Sequence, residues 1–499
     1  MLFNSVDFML FFPIVLLIYF IVPKKIRYIW LLAASYYFYM NWNPVYVLLL
    51  LGVTAITYVC SIFIGKIKTS SIKKHSIRKV FLCGGIVINL IILFYYKYFG
   101  FLIENLNRLF AKINIHTLNA PDIILPVGIS FFTFQALGYL IDVYKGEIDP
   151  EYNFFKYALF VSFFPQLVAG PIERSKNLLT QIQNDSEHHM WNYNRVISGF
   201  VLMLWGFFVK MVIADRAAIS VDYIFANYER FGFVELSAGA VLFAIQIYCD
   251  FGGYSYIAIG AAKVLDYELM DNFKTPYLSV SISEFWRRWH ISLSQWLRDY
   301  IYIPLGGSRC GRAKHYRNLL ITFGISGIWH GANWTYIVWG VLHGIYQICE
   351  KMMAKPMEWI HLRCHTKKEC FGYKLFCIII TFVATDIAWI FFRASTLSQA
   401  CGYIRRLLIY WNPWKLLDGT LYSGIGLSIQ ESHILFFAIL IMTVMDILQI
   451  KKEKNIYQLL ENQWIVFRYV VVLGLLWGII LLGCYGVGTD TTNFIYFQF

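Results

Sequence analysis

Long stretches of this chain carry no charge at all: residues 28–65, 80–96, 123–141, 319–349 and 469–489 contain no Asp, Glu, Lys or Arg. A helix that crosses a bilayer needs roughly 20 mostly apolar residues. Each run is therefore a candidate span, and 28–65 is long enough for two, with Asn41-Trp42-Asn43-Pro44 as the turn between them. Composition agrees. Hydrophobic residues make up 58% of the 499 residues and charged residues 15%, against about 45–50% and about 25% in soluble domains. Too few polar side chains exist to coat a soluble body.

The expected architecture is all-α: a polytopic membrane protein with about a dozen transmembrane helices, plus re-entrant and interfacial helices, around a central cavity. Re-entrant pieces are expected where apolar segments are short or interrupted by Gly and Pro, as in 154–170. Irregular backbone at membrane depth must be buried in protein or line a wet cavity. Phe8 to Val22 lacks a preceding basic residue and a small-residue cleavage site, so it reads as a first span and not as a signal peptide. No tandem repeat or low-complexity tract is visible. The longest polar stretch, 171–195, is too short to fold alone, so 1–499 reads as a single membrane-embedded domain.

The net charge of +13 matters through its placement. Lys24, Lys25 and Arg27 follow the first span; Lys66, Lys68, Lys73, Lys74, Arg78 and Lys79 fill one loop. Arg309, Arg312, Lys314 and Arg317 fill another, and Lys451, Lys452 and Lys454 a third. Basic residues in short loops mark the cytoplasmic side, which places both chain ends outside the cytoplasm of a cell-membrane protein. No interleaving of basic and aromatic residues suited to nucleic acid is present; the large partner is the lipid bilayer. Most cysteines sit in apolar runs as small hydrophobes. His361, Cys364, His365 and Cys370 crowd one loop, but their spacing matches no standard zinc pattern, so a basic surface loop is expected there and no metal site.

One segment breaks the apolar pattern. Ser281 with Glu284 fits a capping box. Apolar residues then fall at 282, 285, 286, 289, 293, 296, 297 and 300, with Arg287, Arg288, Gln295 and Arg298 off the stripe. The spacing predicts one amphipathic helix over 282–300, closed by Pro304 and Gly306-Gly307 and lying at an interface or along a wet cavity.

Within the uncharged run 319–349, Gly327-Ile328-Trp329-His330-Gly331 carries an ionisable group at membrane depth, which marks a functional candidate. An apolar setting favours neutral imidazole, the form that takes a proton from a hydroxyl. The competing reading is a histidine hydrogen-bonded between helices. His290, on the amphipathic stripe one turn from Trp286, reads on its own as an interfacial packing residue, and His343 as a structural one. Lys210 and Asp250 interrupt apolar runs and are expected to pair or to line a cavity. No phosphate-binding loop, serine elbow or zinc-protease helix occurs.

At these residues the chain resembles the membrane-bound O-acyltransferase family, in particular its alginate O-acetyltransferase-like branch. The resemblance runs through Met1-Leu2-Phe3-Asn4-Ser5, Leu125-Pro126-Val127-Gly128, Gln166-Leu167-Val168-Ala169-Gly170-Pro171, Cys249-Asp250-Phe251, Phe285-Trp286-Arg287-Arg288-Trp289-His290, Pro304-Leu305-Gly306-Gly307, Trp329-His330-Gly331 and the closing Ile495-Tyr496-Phe497-Gln498-Phe499. It implies that His330 is the catalytic histidine and His290 its second active-site residue, and that funnels from both faces meet there. Two positions depart from the branch: Tyr256 stands where an Asp is usual, and Gly252 where a Ser is usual.

The implied chemistry is transfer of an acyl group, above all acetyl, from a cytosolic thioester to hydroxyls of an extracellular or cell-wall polysaccharide. Transfer would be direct or through an extracytoplasmic acetyltransferase partner. No cofactor is expected to be bound permanently; the donor would be acetyl-coenzyme A or an acyl carrier. Asn333 is a candidate oxyanion donor, and Trp286, Arg287 and Arg288 candidates for donor binding. The alternatives are D-alanyl transfer to teichoic acid from a carrier protein, and a transporter of polysaccharide or lipid without chemistry.

Overall fold

The structure, a computed structural model, describes residues 1–67, 72–119, 123–184, 191–363, 365, 367–419 and 424–485. All regular secondary structure among the described residues is helical. Seven helices among them are long and apolar enough to cross a membrane: Tyr46–Lys66, His75–Lys97, Tyr193–Ala226, Phe233–Val264, Phe371–Arg393, Ile429–Lys452 and Ile465–Leu482. The shorter apolar helix Val6–Ile21 precedes them. The chain is a multi-pass membrane protein. Other charge-free runs form shorter or more polar helices: 123–141 enters Ile129–Lys145, and 319–349 is shared between Arg312–His330 and Trp334–Arg363. The basic cluster at 66–79 lies partly outside the described residues, as do Cys364, the side chain of His361 and the closing 495–499.

The packing divides into two compact units, Met1–Met203 with Ile257–Met270 and Leu204–Tyr256 with Asp271–Phe499. In the first, the expected turn separates Arg27–Met40 from Tyr46–Lys66, and Asn43 Oδ1 accepts the Val45 N–H to fix it (3.0 Å). Ile129–Lys145 is buried along almost its whole length and packs on Tyr46–Lys66 and Ile72–Lys97. The interruption expected in 154–170 is present: Phe154–Ser162 stops and a short helix Phe164–Leu167 follows. Breaking a helix at depth frees carbonyls that need donors. The Phe160 carbonyl receives two, from Gln135 Nε2 (2.6 Å) and Gln166 Nε2 (2.9 Å).

The second unit is built on a tight pair, Arg312–His330 and Trp334–Arg363, joined by Gly331-Ala332-Asn333. Glycine permits the close approach. A Cβ at Gly327 would overlap the Tyr336 carbonyl, and one at Gly340 the Phe323 carbonyl. Lys210 lies in a π-helical stretch, Phe208–Ala214, inside the long span. Its ammonium sits 2.6 Å from Asp250 and 2.7 Å from Asp215, so of the two expectations for Lys210 and Asp250 the pairing holds, with Asp215 as a third member.

The predicted helix over 282–300 is two helices, Ile282–Arg288 and Ile291–Leu297, followed by a π-helical turn Arg298–Tyr302. His290 sits at the break with φ 40° and ψ 55°. The cause is tertiary. The Lys274 N–H donates to the Arg288 carbonyl and the Ile291 N–H to the Asn272 carbonyl, both at 2.9 Å. Those bonds pair the 272–274 backbone with the chain around His290 and overrule the local stripe. The capping box is half formed: Ser281 Oγ accepts the Glu284 N–H (3.1 Å), whereas the Glu284 carboxylate accepts the Val280 N–H (2.8 Å).

Candidate active site

His330 is the last residue of Arg312–His330, and His290 lies in the break between the two short helices. Both belong to the second unit, and the fold brings their rings to 6.3 Å between centroids. His290 is 0% exposed and His330 4%. Aromatic rings enclose them. Phe251 stands edge-on to His290 at 4.7 Å, and Trp329 packs on both imidazoles. Trp339 at 4.9 Å and Phe392 at 5.4 Å pack edge-on to His330. A left-handed backbone costs a residue with a Cβ about 1–2 kcal/mol. Such strain persists only where the surroundings over-determine it, and it concentrates at functional sites.

His343, expected to be structural, is tied to a candidate donor-binding residue: its Nδ1 accepts the Trp286 indole N–H at 3.2 Å. That bond leaves the imidazole proton on Nε2 when the ring is neutral. Trp286 also packs edge-on to His343, Phe323 and Trp339. A continuous aromatic path thus leads from Trp286 through Trp339 to His330.

Trp286 forms part of the wall of a cavity of about 470 Å³. Arg287, Arg298 and Lys351 supply its cations; Ser283, Ser294, Gln295, Thr322 and Gln347 its neutral polar groups; no carboxylate is among the lining residues. Thr322 lies about 12 Å short of His330 along the helix axis, so the cavity approaches the histidines from the Arg312 end. Cations, neutral polar groups and aromatic rings lining one cavity suit a phosphate-bearing molecule with an apolar reacting end.

Two expectations change. Arg288 does not face the cavity: it bonds Glu284 (2.7 Å) and Thr275 (3.1 Å), bracing its own helix against the loop before it. Asn333 does not point its amide at the histidines. Its Oδ1 accepts the Thr335 N–H, and its Nδ2 donates to the Ser395 carbonyl, so it caps the following helix and ties down a loop. Lys351 and Gln347 were not foreseen, because they lie on a different helix from the amphipathic segment. Arg298 and Gln295 were visible as its polar face. A Cβ at Gly252 would meet Tyr248 and Phe273 at ordinary distances, 3.7 and 3.8 Å, so the Ser usual in the branch would fit there.

Comparison with known proteins bears on this arrangement. Residues 147–392 match the profile of the MBOAT, membrane-bound O-acyltransferase, family. The chain is 35% identical over 434 residues to "Probable alginate O-acetylase AlgI" of Pseudomonas aeruginosa, covering 85% of this chain and 78% of the relative. It is 34% identical over 438 residues to the peptidoglycan O-acetyltransferase of Helicobacter pylori, covering 82% and 80%. The teichoic acid D-alanyltransferase of Streptococcus thermophilus is 29% identical over 250 residues, covering 46% and 58%.

Proposed function

Because the chain belongs to the membrane-bound O-acyltransferase family and is an O-acyltransferase, we propose that it moves an acetyl group from a cytosolic thioester, through the His330–His290 centre, to hydroxyls of an extracytoplasmic polysaccharide. The observation that carries this reading is the basic cavity whose aromatic wall leads to the paired histidines. Arg287, Arg298 and Lys351 hold the phosphates of coenzyme A or of a carrier's phosphopantetheine. The pantetheine arm passes Trp286, which sets the thioester beside His330.

A thioester carbonyl is reactive, but a hydroxyl is a poor nucleophile until a base takes its proton. His330 takes that proton as the acceptor oxygen attacks the carbonyl carbon. The C–O bond forms, the C–S bond breaks, and the thiolate leaves with the proton that His330 returns. His290, 6.3 Å away, orients the reacting group or shares the proton. The acceptor polymer is the hydroxyl-bearing chain itself or one reached through an extracytoplasmic transferase. The names of the relatives, alginate and peptidoglycan acetylases, favour acetyl transfer to polysaccharide over D-alanyl transfer.

The direct test uses protein in liposomes with labelled acetyl-coenzyme A inside and an acceptor polysaccharide outside. Coupled release of thiol inside and ester formation outside is the expected result; intact donor after incubation sinks the reading. In that assay Arg287→Ala raises the KM for donor about 10- to 100-fold, the worth of one charge-assisted hydrogen bond. Arg288→Ala lowers the yield of folded protein and leaves that KM within about two-fold, because Arg288 is bonded to Glu284 and Thr275. Equal effects on KM would remove the distinction.

The orientation follows from the same scheme. The basic segment 309–317, which the sequence marks as a loop and whose residues from Arg312 on begin the helix Arg312–His330, faces the cytoplasm, with both chain ends outside. Single cysteines placed at 309–311, in a background without reactive thiols, resist membrane-impermeant reagents in intact cells and label after permeabilisation. Labelling from outside reverses the orientation and moves the donor to the wrong face.

A further inference from the structure

We propose that Asn272 is a positioning residue for the acyl-transfer centre, holding the backbone at His290 in the left-handed conformation that turns its ring toward His330. The inference rests on the reading that His290 takes part in transfer. Asn272 is 1% exposed, and three bonds converge on it. Its carbonyl accepts the Ile291 N–H (2.9 Å), its Oδ1 accepts the Ser292 hydroxyl (2.6 Å), and its Nδ2 donates to Ser255 Oγ (3.1 Å). Two of these grip the residues just after His290. The bond from the Lys274 N–H to the Arg288 carbonyl grips the chain just before it.

The third bond anchors the arrangement to the helix Phe233–Val264. Ser255 lies one helical turn after Phe251, and residues four apart share a helix face. Phe251 is the ring that stands edge-on to His290 at 4.7 Å. One face of one helix therefore fixes both the imidazole, through Phe251, and the backbone that carries it, through Ser255 and Asn272.

Asn suits this place. Its side chain offers a donor and an acceptor in one plane, and here the donor goes to one buried hydroxyl while the acceptor takes the other. Without it both hydroxyls lose their shared partner. The two backbone bonds between 272–274 and the chain around His290 remain, but the side-chain link from Ser292 to Ser255 is gone, and the backbone at His290 loses its anchor to the helix Phe233–Val264. The imidazole then shifts relative to His330, and a misplacement of about 1 Å at a reacting centre costs on the order of 100-fold in rate.

The experiment compares Asn272→Ala, Ser292→Ala, His290→Ala and the double variant Asn272→Ala/His290→Ala, each normalised to folded protein in the membrane. Asn272→Ala is expected to lower kcat about 100-fold while the KM for acetyl-coenzyme A stays within about two-fold, since Asn272 does not line the donor cavity. Ser292→Ala, which removes one hydrogen bond, lowers kcat about 2- to 10-fold. If Asn272 acts through His290, the double variant is no slower than His290→Ala alone. Losses that multiply, or a folded Asn272→Ala protein with normal kcat, overturn the proposal. If Asn272→Ala does not fold, Ser292→Ala and its double with His290→Ala decide by the same readouts. Normal activity in His290→Ala sinks the reading beneath it instead.

Discussion

The His330→Ala protein is expected to fold, insert into the membrane and transfer no measurable acetyl. His330 ends its helix, so its loss breaks no run of helical hydrogen bonds, and it leaves a small void among Trp329, Trp339 and Phe392. Voids of this kind cost a few kcal/mol at most. The chemical loss is larger. A positioned base contributes about 100- to 10,000-fold in rate, and no other described side chain in the Trp329-His330-Gly331 motif can accept the hydroxyl proton. Donor binding should survive, because the cations of the cavity lie on other residues. The signature is therefore a collapse of kcat with donor KM retained. The measurement is O-acetyl content of the outer polymer per folded protein, beside His290→Ala as a weaker companion. A loss of only two- or three-fold in His330→Ala would not fit a general base.

Much of the fold was legible because the bilayer imposes few solutions. Runs without charge became helices, Asn41-Trp42-Asn43-Pro44 became a turn, and the interruption in 154–170 became a broken helix with its freed carbonyl capped by glutamines. Pairing of Lys210 with Asp250 was one of two readings open in the sequence, beside a cavity wall, since a charge at depth needs a partner or water. The catalytic candidate His330 stood out by its setting. What escaped the sequence was set by tertiary contact. Nothing near residue 290 shows that 272–274 will pair with it and break an otherwise good helix. Local pattern also gave Arg287 and Arg288 the same face, whereas Glu284 and Thr275 draw Arg288 aside. The bond from Trp286 that makes His343 more than packing spans two separate helices.

The second large effect concerns stability. Lys210 holds Asp250 and Asp215 at 2.6 and 2.7 Å, with side-chain exposures of 4%, 2% and 20% respectively. The π-helical stretch that carries Lys210 runs beside Gly253, where a Cβ would meet the Gly206 carbonyl at 2.8 Å, so the two helices close tightly over the charges. A buried ion pair adds little over a well-packed apolar core, but removing one partner strands the other's charge and costs about 3–5 kcal/mol. Lys210→Met strands two carboxylates at once and is expected to abolish recovery of folded protein in detergent. Asp250→Asn leaves Lys210 with Asp215 and a hydrogen-bonding amide, so a milder loss is expected. The decisive variant is Lys210→Met/Asp215→Asn/Asp250→Asn, which carries no buried charge at the site. If the triad is a matter of charge compensation, that triple variant yields more folded protein than Lys210→Met alone. If it yields less, the triad holds the helices by its specific bonds, and the compensation argument fails.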